Sequence, residues 1–146
     1  MDVDVATSIV IRRPRTDVAA FAINPDNAPR WYINIKAVEW KTSPPLRPGS
    51  RVAFVAQFMG RRLAYTYEIA TLVEGEMLVM RTAEGPFPME TTYTFTSTEH
   101  GDTSMVLRNR GTPSGFNRIA APFMAMAMRR ANRKDLARLK EILEAS

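Results

Sequence analysis

Cysteine is absent from this chain of 146 residues, which excludes disulfides, thiolate metal sites and a cysteine nucleophile. Histidine occurs once, as His100, within His100-Gly101-Asp102, which reads as a hairpin turn. With no second His or Cys to share a metal and no placed serine to activate, His100 is expected to be a solvated turn residue. Long apolar runs are missing as well. The longest, Ile119 to Met128, is about half a membrane span and contains Pro122. The first residues, Met1-Asp2-Val3-Asp4, are acidic and lack the basic-then-apolar layout of a secretory leader, so a cytoplasmic protein is expected. A phosphate-cradling glycine motif, internal repeats and low-complexity tracts are not found either. Nothing in the chain offers a metal set or a cofactor motif.

What is present is ordinary for a globular protein: 45% apolar and 24% charged residues. The length suits a single domain over residues 1–146, able to bury roughly 70% of its unfolded surface. The net charge is +5. Much of the excess falls on Arg118, Arg129, Arg130, Arg133, Lys134, Arg138 and Lys140, mostly opposite Met128 and Leu139 on a helical wheel. These cations read as a solvated helix face favoured by the helix dipole, the competing reading being a phosphate or anionic-membrane contact. No aromatic residues interleave with them, so nucleic acid is not expected as a partner.

The order of patterns carries the most information. Val3 to Arg12 alternates and is rich in Val, Ile and Thr, as a half-buried strand would be. Pro14 ends it, and Thr16-Asp17 can cap a short helix. Asn24-Pro25-Asp26 starts a second turn that ends near Pro29. A strand is expected around Ile35 to Lys41, followed by a proline-stiffened loop. From Arg51 to Arg110 the period is two. Val52, Phe54, Ala56 and Phe58 share one face, as do Leu63, Tyr65, Tyr67 and Ile69, then Met89, Thr91, Tyr93 and Phe95, and then Thr103, Met105, Leu107 and Asn109. Met77 to Thr82 is apolar on both faces, so its phase stays open. Helical spacing then runs from about Thr112 to Ala145. Ala121, Met124, Ala125, Met128, Asn132, Leu136, Leu139 and Leu143 form the sheet-facing stripe. Phe116, Ile119, Phe123 and Met126 form a second apolar stripe nearly opposite, to be covered by loops, a partner or a ligand; transient membrane contact and a homodimer are both compatible with it.

Ile9-Val10-Ile11-Arg12-Arg13-Pro14 leading to Asp17-Val18-Ala19-Ala20-Phe21, Asn24 through Trp31, Leu46-Arg47-Pro48-Gly49-Ser50-Arg51, Gly60-Arg61-Arg62-Leu63 and Asp135 through Lys140 occur in an order and spacing that resembles the START-like (SRPBCC, helix-grip) superfamily. The nearest branch is that of polyketide cyclases/dehydrases and lipid transport. The resemblance covers essentially the whole chain. It implies an α+β helix-grip fold: a seven-stranded curved antiparallel sheet wrapped around the C-terminal helix, with two short helices after strand 1. It also implies a cavity for lipids, polyketides or other apolar molecules. The chain lacks the Gly-rich loop of plant hormone-binding relatives and the tandem repeat of some aromatase/cyclases.

Catalytic constellations are not evident, since Glu68 and Glu90 fall on the outward strand phase. Polar groups on inward phases stand out instead: Tyr65, Tyr67, Thr91, Tyr93, Asn109 and Asn132. Each needs a partner, because a buried unpaired hydroxyl or amide costs about 1–3 kcal/mol. They can bond to one another or orient a ligand's polar end. The expected ligand-binding set is these six with Trp31, Phe54, Phe58, Met89, Met105, Phe116, Met124 and Met128. Trp31 is chiefly a packing anchor, and the methionines supply an adaptable lining. A binding or carrier protein for a small hydrophobic ligand is the first reading. A cyclase/dehydrase-type enzyme using cavity Tyr and Asn groups is the second, and a membrane- or protein-interaction module the third.

Overall fold

A computed structural model describes residues 3–58, 60–85, 88–112 and 120–146. Strand β1 (Val3–Ile11) leads into helix α1 (Arg15–Ile23), then a 3₁₀ turn (Pro25–Asn27) that continues into the single-turn helix α2 (Ala28–Trp31). Strands β2 (Ile35–Trp40), β3 (Arg51–Phe58), β4 (Arg61–Val73), β5 (Met77–Glu84), β6 (Met89–Ser97) and β7 (Thr103–Gly111) follow, and the described chain closes with helix α3 (Ala120–Glu144). All seven strands form one antiparallel sheet ordered β1-β7-β6-β5-β4-β3-β2. Five successive hairpins build it, and only β1 must cross to the far edge to pair with β7. This is the α+β helix-grip architecture that the resemblance implies.

Local chemistry explains the turns. Gly60 and Gly75 adopt φ of +74° and +76°, a region that glycine enters without a steric penalty. The helix start after β1 departs from expectation. Pro14, not Thr16 or Asp17, is the residue before α1, and its carbonyl accepts from the N–H groups of Asp17 and Val18. Asn24 caps the 3₁₀ turn, accepting from Asp26 N–H at 3.1 Å. Thr112 lies just beyond β7, its N–H donating to the Pro88 carbonyl; the expected start of the long helix after it falls outside the described residues. His100 is exposed in the β6–β7 turn.

The inward phases read from sequence are the buried ones, and β5 resolves as Leu78 and Met80 inward. On α3 the stripe of Met124, Met128, Asn132, Leu136, Leu139 and Leu143 is buried against the sheet. The far end of α3 is pinned: Arg13 Nη1 donates to the Leu143 carbonyl at 2.8 Å, and Arg12 N–H to Glu144 Oε2 at 2.8 Å. The apolar interior nevertheless falls into two clusters. One joins α1, Trp31, Val52, Ile69, Leu78, Phe95 and Met105 to Leu136, Leu139 and Leu143. The other joins Val3, Val5, Leu63, Tyr65 and Met89 to Met124 and Met128. Between them α3 presents Asn132 and Asp135 to the sheet, both almost fully buried. Polar side chains cannot close a dry seam, and the interior opens there.

Candidate functional site: a cavity between sheet and helix

The space between the two clusters is a cavity of about 150 Å³, close to the size that takes up a single aromatic ring. Met80, Met89, Met124, Met128, Phe54 and Leu63 supply most of its apolar wall. Half-exposed wall residues Asn34, Ile35, Ala56 and Ala131 mark where it meets solvent, between α3 and the β2–β3 edge of the sheet. The sequence leads one to expect an entrance near the Gly85-Pro86-Phe87 loop, the Trp31 region and the front of the long helix; Pro86, Phe87 and residues 113–119 fall outside the described residues.

Two polar groupings interrupt the apolar wall. In the first, Asn132 Nδ2 donates to Asn109 Oδ1 at 2.6 Å, and Asn109 Nδ2 donates to Thr91 Oγ1 at 2.9 Å. Thr91 in turn bonds the Tyr67 hydroxyl. The β6–β7 register, which sets Thr91 directly opposite Asn109, makes this chain of contacts possible. In the second, the hydroxyls of Tyr32 and Tyr93 lie 2.6 Å apart, and the Asp135 carboxyl faces the same space. Asp135 Oδ1 accepts the Ile33 N–H at 3.0 Å, tying α3 to the link between α2 and β2.

Burial sets the protonation of these groups. Tyr67 is pushed up to about 12, by loss of water and against the pull of the Thr91 bond. Tyr32, Tyr65 and Tyr93 are also raised, burial being the largest cause in each. All four therefore stay neutral near pH 7 and can act as hydrogen-bond donors. Asp135 is raised from 3.8 to about 6 by burial, partly offset by the Ile33 N–H. A carboxyl at about 6 changes charge close to neutral pH, which is the range in which an acid can both give and accept a proton. Glu68 and Glu90 by contrast lie on the outer sheet face, paired with Arg51 at 3.1 Å and Arg81 at 2.7 Å.

Of the fourteen residues expected to line the cavity, the structure brings Phe54, Tyr65, Tyr67, Met89, Thr91, Tyr93, Asn109, Met124, Met128 and Asn132 into one wall. Phe116 and the side chain of Phe58 lie outside the described residues. Trp31 and Met105 lie outside this wall. Trp31 is fully buried behind Tyr32 and Tyr93, with ring centroids 3.9 and 5.7 Å away, so its neighbours and not its own indole face the space. Met105 pairs with Ile9 and Phe95, one inward row deeper than the Tyr93–Leu107 pair, where the larger cluster is already closed.

The most consequential omission from sequence was Asp135. Met128, Asn132, Asp135 and Leu139 are spaced 4, 3 and 4 apart, which is the core-facing rhythm of a helix, and that spacing was its available signal. Tyr32 carries no such signal, since it stands beside Trp31, the stronger hydrophobe, in an irregular stretch. Gly85 and Gly111 carried a further signal. A Cβ on Gly85 would meet the Tyr65 ring at 2.5 Å, and one on Gly111 would strike the Met89 sulfur. Two wall side chains thus rest against bare backbone.

Comparison with known proteins agrees with this geometry. The family described as polyketide cyclase / dehydrase and lipid transport matches residues 2–144. No curated protein matches the chain. Among solved structures, a START superfamily protein from Mycobacterium smegmatis superposes with a TM-score of 0.83 at 10% identity, over 97% of each chain. The Zhui aromatase/cyclase from a Streptomyces species gives 0.83 at 14% identity, over 99% of this chain and 94% of that one. A major latex-like protein from Panax ginseng gives 0.72 at 11% identity, over 96% of each. At such identities these likenesses establish the fold alone.

Proposed function

The chain belongs to the polyketide cyclase / dehydrase and lipid transport family, and from that premise we propose that it binds and carries a small hydrophobic ligand in the cavity between sheet and α3. The observation that carries this reading is the split core. A helix stripe that is apolar at both ends brings Asn132 and Asp135 to the cavity, where the hydroxyls of Tyr32, Tyr67, Thr91 and Tyr93 gather. Apolar walls with a few convergent polar groups are the usual make-up of a small-molecule site. The walls as they stand fit a single ring or short chain with one hydroxyl or carbonyl. Longer lipid- or polyketide-like ligands need Met80, Met89, Met124 and Met128 to change rotamer, which unbranched thioethers do at low cost.

Titration of isotope-labelled protein with 4-alkylphenols of increasing chain length tests the proposal, alongside native mass spectrometry of the freshly purified protein. Binding is expected to shift the methyl signals of Met124 and Met128. Absence of any retained apolar compound, together with no shift up to the solubility limit of each phenol, would defeat it.

A second reading, catalysis of the cyclase/dehydrase type, draws on one specific observation: Asp135 and the Tyr32–Tyr93 pair border the same space. A carboxylate beside two neutral phenols can take a proton next to a ligand carbonyl while a phenol donates to the developing enolate oxygen. Asp135→Asn, Tyr93→Phe and Asn132→Ala would then lower turnover of a polyketide-like substrate more than affinity. Equal losses in both would leave the carrier reading alone.

A further inference from the structure

Five large apolar side chains stand in solvent among the described residues: Val10, Ile33, Val73, Phe123 and Met126. Ile33, 45% exposed, immediately precedes the rim residues Asn34 and Ile35. Phe123 and Met126, each 64% exposed, stand beside the wall residue Met124 on α3. At ~100° per residue, Arg130, Arg133 and Lys134 continue the outward face of Phe123 and Met126 along the next turns, and all three are exposed. Several cations on the sheet are matched: Arg51, Arg81 and Arg108 each hold a carboxylate within 3.1 Å. Arg130, Arg133 and Lys134 hold no partner among the described residues.

We propose that this outward face of α3 docks on an anionic lipid bilayer. Phe123 and Met126 enter the boundary between headgroups and acyl chains, while Arg130, Arg133 and Lys134 pair with anionic headgroups. The occupant follows from the chemistry. A second copy joined through this whole face would bring three unpaired cations from each side into one interface. A nucleic acid would reward aromatic stacking platforms among the cations, and among the described residues Phe123 is the only aromatic on this face. Attachment is peripheral, because no helix among the described residues is long and apolar enough to cross a membrane. The proposal holds whatever the cavity contains.

Co-sedimentation with extruded vesicles provides the test, comparing phosphatidylcholine alone with an equal mixture of phosphatidylcholine and phosphatidylglycerol at low and high salt. Binding is expected to the mixed vesicles only, and to weaken with salt. One cation near an anionic surface multiplies partitioning about fivefold, so Arg130→Gln/Arg133→Gln should lose about 25-fold. Phe123→Ser/Met126→Ser should lose at least about tenfold on the same vesicles, with an unchanged melting temperature because both side chains already face water. Failure to sediment with either vesicle would overturn the proposal. So would binding that ignores the serine pair and is matched on a DNA duplex, or a dimer in analytical ultracentrifugation that the serine pair abolishes.

Discussion

Replacing Asp135 by asparagine isolates the physics of the buried carboxyl. In the folded protein it titrates at about 6, against an ordinary value of 3.8, because burial disfavours the charged form. The native state therefore holds a proton that the unfolded chain has already released between those two values. Stability then falls as pH rises from about 4 to about 6 and levels off above. The gap corresponds to about 3 kcal/mol, the cost of keeping the carboxylate in the cavity at neutral pH. An asparagine in its place cannot ionise, yet its amide oxygen can still accept the Ile33 N–H that Asp135 holds at 3.0 Å. The groups beside it, Tyr32 and Tyr93, stay neutral throughout and contribute no competing titration. Urea denaturation of both proteins should thus give similar midpoints near pH 4. By pH 7.5 the Asp135→Asn midpoint should be higher by about 1.5 M, taking a slope of about 2 kcal/mol per molar urea. Taking the difference between the two proteins removes every other titrating group. A difference that does not change with pH would refute the reasoning. A reversed sign would show the carboxylate to be stabilised by a cation in the folded state.

Other outcomes follow from the same contacts. Asn109→Leu and Asn132→Leu should each cost about 1–3 kcal/mol, since each strands the other amide; the double variant should cost clearly less than their sum in chemical denaturation. Gly85→Ala drives a methyl into the Tyr65 ring, 2.5 Å away, and should destabilise by about 1–3 kcal/mol while weakening alkylphenol binding through the displaced wall. Glu144 is held down to about 2 by Lys140 and then by the Arg12 N–H and side chain. The stability it contributes is present above its ordinary 4.5 and is lost as pH falls toward 2. Glu144→Gln should therefore flatten acid unfolding over that window in circular dichroism, and an unchanged acid limb would contradict it.

Except for β5, whose two apolar faces leave its phase open, sequence alone settled the period-two strands, the described length of the terminal helix and the faces they turn inward, because alternation and helical spacing are local: each follows from where a side chain points on its own backbone. It also marked Thr91, Tyr93, Asn109 and Asn132 as polar groups that needed partners. Which partners they found depended on register. Thr91 meets Asn109 because β6 and β7 pair at those residues, and Tyr93 meets Tyr32 because α2 folds its end back over the sheet. Met105 sits on the same phase as Asn109 yet lies outside the cavity wall, since depth along the sheet is invisible to phase. In the sequence Asp135 is one acidic residue on a basic helix; the tertiary structure withdraws its water, raises its proton affinity and sets it in the cavity wall. Whether a polar residue on a core stripe is solvated, paired or left facing a hollow is a property of everything packed around it, and only the assembled sheet and helix decided that.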